Sequence, residues 1–325
     1  MRRRKFIGGV LLAATMPQVR AESVKTYRIA IFDLITPADV MNESAGPQYP
    51  LWRPLFTELR RLGYVEGHNL AIERYGIKEY SPDLARKVVA GHPDVIFADQ
   101  NTAVRDVATA TKTIPIVGIM VQSSQGQNLA HPGGNLTGIS FALGIEFTGK
   151  RLELLREMVP NISKVGLLTT RETWERDFKP SIEQVTKRLG IAVVGPFLES
   201  LTTEELRRIF SVMSKENVDA LNVTADLWRD MPQVIQLAQE FRLPATYPNK
   251  YFAQIGGLMA YSFDIPELGR VAADQIDQIL KGTQAGDIPI YQAEKFTLTI
   301  NMKTAKTLGL VVPSSLLAQA DEVIE

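Results

Sequence analysis

Residues 94–120 read DVIFADQNTAVRDVATATKTIPIVGIM. A short apolar run, Asp94–Ala98, is followed by a helical pattern, Asn101–Thr111, and then by a second β-branched run, Ile114–Met120. Runs of five to seven apolar residues are strand-sized, and the segment between them repeats its apolar positions at helical spacing. Two strands joined by one helix form a βαβ unit, which sets its strands parallel. The fold class predicted from this stretch is therefore α/β with parallel sheet.

The pattern continues on both sides. Upstream, Tyr27–Asp33 reads as a strand, Tyr49–Leu62 as a helix stopped by Gly63, and Asn69–Tyr75 as a strand. Ser81 and Pro82 suit the N-cap and first turn of the next helix. Downstream, Leu136–Phe141 is a strand. A second series then begins: helix Gly149–Val159, strand Lys164–Thr169, helix Trp174–Leu189, strand Ile191–Phe197 and helix Thr202–Lys215, the last opened by Thr202 with Glu205 three residues on. Strand Asp219–Thr224, helix Met231–Phe241, strand Gly257–Tyr261 and helix Ile265–Leu280 complete it, before Phe296–Ile300 and a helix near Lys303–Leu308. Two such series predict two similar lobes. No low-complexity linker parts them near Phe141–Phe147, which predicts a stiff hinge.

The first 21 residues stand outside this pattern. Arg2, Arg3, Arg4 and Lys5 precede the apolar stretch Phe6–Ala14, and Val19-Arg20-Ala21 offers a small-residue cleavage site. This predicts an export signal cleaved after Ala21, by the general secretory route or, given Arg3-Arg4-Lys5-Phe6-Ile7, the twin-arginine route. The expected location is periplasmic. The chain has 325 residues with 36 basic and 36 acidic ones. Five of the basic residues lie in residues 1–21, leaving 31 against 36, a net of about −5. That balance argues against a nucleic-acid partner. The absence of cysteine excludes disulfides, thiolate nucleophiles, cysteine-ligated zinc and a lipidated N-terminus.

Catalytic and cofactor motifs are sparse. His68, His92 and His131 each sit in a turn-like context, and neither a nucleophile elbow nor a dinucleotide fingerprint occurs. Gly144 to Lys150 has the spacing of a phosphate loop, but Arg151 stands where that loop needs Ser or Thr. The stretch reads instead as the start of the first lobe-2 helix. No cofactor, metal or catalytic residue is expected, and the chain is not expected to be an enzyme.

Open α/β sheets bind ligands beyond the carboxyl ends of their strands. There the sequence places Asp33 and Thr36; Asp99 with Gln100, Asn101 and Thr102; and Gln122 and Ser123. In the second series it places Thr170, Arg171 and Trp174; Thr224, Asp226 and Trp228; and Tyr261 and Phe263. Asn101 and Thr102 serve equally as helix caps. Asp226 suits either a cap or a ligand ammonium. Trp174 and Trp228 suit a packed surface or an aromatic wall. Tyr261 and Phe263 suit the hinge or the ligand, and Arg171 an anion or open solvent.

Several segments carry a resemblance. Arg61-Leu-Gly-Tyr-Val-Glu-Gly-His-Asn69, Thr113-Ile-Pro-Ile-Val117, His131-Pro-Gly-Gly-Asn-Leu-Thr-Gly138 and Gly149-Lys-Arg-Leu-Glu-Leu-Leu155 resemble the ABC transporter substrate-binding proteins of the tryptophan/tyrosine type. So do Arg242-Leu-Pro-Ala245, Gly256-Gly-Leu-Met259, Asn301 to Gly309 and Ser315 to Glu325. The resemblance implies a type I periplasmic-binding-protein fold: two Rossmann-like lobes with three crossovers, near Phe141, Tyr261–Phe263 and Gln292–Phe296. Lobe 1 would hold residues 22–142 and 264–292, and lobe 2 residues 143–263 and 293–325. The implied function is solute capture by hinge closure for an ABC permease of the inner membrane, by a monomer. The solute would be an amino acid or an aromatic or organic carboxylate. Two departures bear on it. Asp99-Gln100-Asn101-Thr102 stands where the family often has Gly-Thr/Ser-Pro-Ala, and Gln122-Ser123-Ser124 where it usually has Asp-Pro. A sensory binding protein, or a hydrolase built on Asp33, Asp99 or Asp226, would be the alternatives.

Overall fold

A computed structural model describes residues 25–79, 81, 83–120, 128–140, 145–195 and 197–325. The export signal, Gln122, Ser123 and the first expected crossover at Phe141 lie outside the described residues.

The first part of the chain runs β1 (Tyr27–Asp33), α1 (Trp52–Arg61), β2 (Leu70–Tyr75), α2 (Leu84–Ala90), β3 (Val95–Asp99), α3 (Asn101–Ala110), β4 (Ile116–Met120) and β5 (Leu136–Ser140). There follow α4 (Ile145–Met158), β6 (Lys164–Leu168), α5 (Arg171–Thr173), a single wide helical turn over Trp174–Phe178, α6 (Lys179–Leu189) and β7 (Ala192–Val194). Next come α7 (Thr203–Lys215), β8 (Ala220–Val223), α8 (Met231–Glu240), β9 (Ala245–Tyr247), α9 (Lys250–Gln254) and β10 (Met259–Phe263). The chain closes with α10 (Ile265–Leu280), β11 (Tyr291–Gln292), β12 (Phe296–Asn301), α11 (Met302–Thr307), α12 (Ser314–Gln319) and β13 (Glu322–Ile324).

These strands form two sheets, ordered β11-β5-β4-β3-β1-β2 and β13-β12-β10-β9-β8-β6-β7. Each is covered on both faces, as parallel strands without a solvated side must be. On β1, Ile29 and Ile31 pack towards α1 and α10, while Ala30 and Phe32 pack towards α2 and α3. β3 alternates in step: Val95 and Phe97 face the first core, Ile96 and Ala98 the second. This alternation continues to the strand ends and puts Asp33 and Asp99 on the α1 side. Trp52, at the start of α1, meets Phe97 edge-on at 5.9 Å between ring centroids, a contact that contributes about 1 kcal/mol beyond its buried area.

The second sheet is not wholly parallel. β12 pairs antiparallel with β10, because β10 runs up to the hinge and β12 starts from it, after the chain has passed through α10 and β11 in the first lobe. Other expectations shift by a few residues. α2 starts at Leu84 beside Asp83, and Ser81 contributes its carbonyl to the Leu84 N–H rather than a side-chain cap. The strand expected from Gly257 begins at Met259. Thr202 does cap α7, accepting from the Glu205 N–H at 3.2 Å.

β4 and β5 approach so closely that only glycine fits. Gly138 adopts φ +147°, and a Cβ there would stand 1.9 Å from the Gly118 carbonyl oxygen. The pair leaves the Gly138 carbonyl open to Gln275 of α10, whose Nε2 donates to it at 2.9 Å.

Candidate functional site

The carboxyl ends of β1 and β3 build one wall. Asp33 and Asp99 are register partners on these neighbouring strands, so both carboxylates point the same way. Asp33 is 1% exposed. Its Oδ1 accepts from the Ile35 N–H at 2.6 Å, while Oδ2 has no partner among the described residues. Burial pushes Asp33 up to about 6. Asp99 is raised well above the carboxylate range, first by burial and then by the charge of Asp33. Two carboxylates so placed resist being charged together.

The surrounding loop holds this wall in place. Thr36 is buried, and its hydroxyl accepts from Trp52 Nε1 at 3.2 Å. Gly76 lets residues 36–38 lie flat, since a Cβ there would come within 2.6 Å of the Thr36 carbonyl oxygen. Gln100 turns the chain from β3 into α3 at φ +79°, giving its N–H to the Ile119 carbonyl and leaving Nε2 buried without a partner among the described residues. Asn101 and Thr102 therefore occupy the first turn of α3 rather than its cap. Tyr49 faces the same region. Burial raises its phenol, the Asp39 and Asp33 carboxylates raise it further, and Arg229 from the other lobe opposes them.

The opposite wall is a network centred on Asp226. Its Oδ2 accepts from Thr169 Oγ1 at 3.1 Å, from the Thr170 N–H at 2.9 Å and from Thr170 Oγ1 at 2.8 Å. Thr224 Oγ1 donates to Oδ1. Asp226 thus ties the end of β6 to the end of β8. Arg171 is paired outside it: Nε donates to Glu199 Oε1 at 2.6 Å, with the guanidinium over the Phe197 ring. Trp174 stacks on the same Phe197 ring at 4.5 Å. Trp228 meets Phe252 edge-on at 4.8 Å, and its Nε1 donates to the Gln48 carbonyl at 3.2 Å. That bond joins the two lobes.

Tyr261 and Phe263 stand in the hinge. With Phe147 and Phe296 they form a group of four rings with centroids 4.7–5.6 Å apart for the pairs in contact, drawn from the start of α4, from β10 and from the start of β12. Beneath Phe147 lies a residue that the sequence reading takes only as part of a helix start. Arg151 is 4% exposed, and one terminal nitrogen donates to the Val223 carbonyl at the end of β8 at 2.9 Å. Its Nε has no partner among the described residues, and burial pulls the guanidinium down to about 9.

Of the expected residues, then, Asp33, Thr36 and Gln100 gather on the first wall. Thr170, Thr224 and Asp226 gather on the second, Trp228 bridges, and Arg171 and Trp174 meet at the Phe197 ring. Gln48, Tyr49 and Arg229 are additional polar groups at this site, and Arg151 lies buried beneath the hinge rings. His68, His92 and His131 are all exposed, and the described residues hold no cluster suited to a metal ion. A cavity of about 340 Å³ lined by Lys25, Tyr27, Asp94 and Pro115 lies at the amino ends of the strands, away from these walls.

Comparison with known proteins agrees with this architecture. Residues 56–324 match the family described as ABC transporter substrate binding protein. A tyrosine-binding protein of Clostridioides difficile is 28% identical over 258 residues, covering 76% of this chain and 73% of the relative. Among solved structures, a conserved domain protein of Vibrio cholerae superposes with a TM-score of 0.78 at 22% identity, over 92% of this chain and 100% of that one. The ABC domain of Streptococcus pneumonia in complex with L-Trp gives 0.76 at 23% identity with the same coverage. The fold is that of the type I periplasmic binding proteins. No helix among the described residues is long and apolar enough to cross a membrane. The chain belongs to the ABC transporter substrate binding protein family, whose members capture a small solute outside the cytoplasm.

Proposed function

We propose that this protein collects an aromatic amino acid in the periplasm and presents it to the permease of an ABC importer. It reaches that compartment through the Met1–Ala21 signal, cleaved after Ala21, and works as a monomer. The closing units are residues 22–142 with 264–292 and residues 143–263 with 293–325. Solute enters between the walls, the lobes rotate about the four-ring hinge, and contacts made only in the closed form favour closure.

The observation that carries this reading is the Asp33–Asp99 pair, with the buried Oδ2 of Asp33 left without a partner among the described residues. Such a pair is costly when empty and is satisfied by a solute ammonium. Thr36, Gln100 and Tyr49 line the same wall, and Trp228 offers an aromatic face from the other. The named ligands of the C. difficile and S. pneumonia relatives, tyrosine and L-Trp, support an aromatic side chain.

A thermal-shift screen of the purified protein against the twenty amino acids, sugars and organic acids tests it. Tyrosine or tryptophan at 100 times its dissociation constant is expected to stabilise the wild type by about 2.7 kcal/mol and Asp33→Asn far less. Stabilisation by sugars or organic acids alone would overturn the assignment of an amino-bearing solute.

A further inference from the structure

Arg151 has a charge that nothing described in the protein balances. Among the described residues no carboxylate pairs with it, its Nε has no partner, and the side chain is 4% exposed. Desolvating a cation without a counter-ion is expensive. Its position is informative. Side chains of a helix lean towards its amino end, and the amino end of α4 is the one nearest the hinge. The guanidinium accordingly lies at the level of the last residue of β8, Val223, and 5.9 Å from the centroid of Phe147 in the hinge group. Asn222, on the sheet face that α4 covers, also has its Oδ1 without a partner among the described residues, so the described polar groups beneath this end of α4 do not satisfy one another.

We infer that Arg151 is the carboxylate anchor of the solute site, its guanidinium receiving the acid group of a solute held between the lobes. This rests on the proposed capture of an amino acid and deepens it: the solute is bound as a zwitterion, ammonium on the lobe-1 carboxylates and carboxylate on a lobe-2 arginine. Arg171, half-exposed and already paired with Glu199, is not needed for this role.

The test compares L-tryptophan with tryptamine, which lacks only the carboxylate, by isothermal titration of wild type and Arg151→Met. The expected result is that wild type prefers L-tryptophan by at least 100-fold, that the variant binds the two within about 3-fold of one another, and that its melting temperature is no lower. An equal preference in both proteins, with a lower melting temperature for the variant, would show that Arg151 only supports β8 and would overturn the inference. Wild type binding tryptamine as well as L-tryptophan overturns it too, while leaving the amino-bearing aromatic solute in place. If wild type binds neither, the aromatic reading fails, and L-leucine, pyruvate and acetate decide the arginine: binding lost in Arg151→Met upholds the anchor, and no binding of any of them refutes it. Arg151→Gln, which also removes the charge, replaces Arg151→Met should the latter not fold.

Discussion

Replacing Asp33 by asparagine is expected to make the ligand-free protein more stable near neutral pH while weakening its capture of solute. The carboxyl stands at about 6 in the folded protein against an ordinary 3.8, because burial opposes its charge. Each tenfold change in proton affinity corresponds to roughly 1.4 kcal/mol, so the ionised group costs the native state about 3 kcal/mol. The direction follows from proton counting. Between pH 3.8 and about 6 the folded protein keeps a proton that the unfolded chain releases, so stability is greatest below this window, falls as pH rises through it, and bears the full penalty above it. Asparagine keeps an oxygen to accept from the Ile35 N–H and has no charge to bury. Because the unfolded carboxyl is already more than half ionised at pH 4, the difference in unfolding free energy between variant and wild type should widen in favour of the variant by about 2.4 kcal/mol from pH 4 to pH 7. It also removes the charge that raises Asp99, which works in the same direction. Urea titrations of both proteins at pH 4, 5, 6 and 7, analysed with a common slope, measure it. Parallel pH profiles, or a variant that loses ground to the wild type as pH rises, would refute the assignment of a strained buried carboxylate.

Other perturbations separate the contacts. Trp228→Phe removes the inter-lobe bond to the Gln48 carbonyl; the loss of one hydrogen bond of about 1 kcal/mol predicts solute affinity roughly 5-fold weaker by titration calorimetry, and unchanged affinity would mean that the bond does not belong to the solute-bound form. Gly138→Ala drives a Cβ into the Gly118 carbonyl and is expected to lower stability by roughly 3 kcal/mol or more, whereas Gly190→Ala, at φ +66° with open space around it, costs about 1–2 kcal/mol; thermal melts of the two rank them. Arg171→Ala removes the exposed pair with Glu199 and the guanidinium over the Phe197 ring, both surface contacts of small net worth, so melting temperature and solute affinity are expected to stay close to wild-type values, and a tenfold loss of affinity would place Arg171 in the site.

The elements with strong period were readable from the chain, and those without it were not. β3, α3 and β4 are five or more residues long with apolar positions in step, and their register follows. β9 has three residues, Ala245–Tyr247, directly after a proline, and three residues carry no measurable alternation. At the site, Asp33 and Thr36 were visible because a polar residue closing an apolar strand is conspicuous. Asp226 was visible for the same reason, but its engagement depends on Thr169 and Thr170, more than fifty residues earlier, and no local pattern conveys that. Gln48 and Tyr49 lie in an irregular loop whose path only the packing of α1 determines. Arg151 was hidden in plain order: a basic pair, Lys150-Arg151, near a helix start reads as solvated surface, and only the turn of α4 against β8 shows that one member faces inward.

Among the described residues, Asp33 in one lobe and Arg151 in the other each keep a polar atom without a partner, and with Arg151 as the proposed carboxylate anchor this bears on how closure is driven. Moving a hinge from about 1% to about 99% closed needs a ligand that prefers the closed form by about 5.5 kcal/mol. Hydrogen bonds to charged groups contribute about 1.5–3 kcal/mol each, so a single charged contact falls short and two reach the required range. Asp33 and Asp99 sit on one lobe and Arg151 on the other, so a solute bearing one charge can satisfy one wall with the lobes apart and gains little by bringing them together. A zwitterion gains its second contact only on closure. The separation of charges between lobes thus makes the closed form report a molecule with both an ammonium and a carboxylate, which is the discrimination a permease coupled to closure would require.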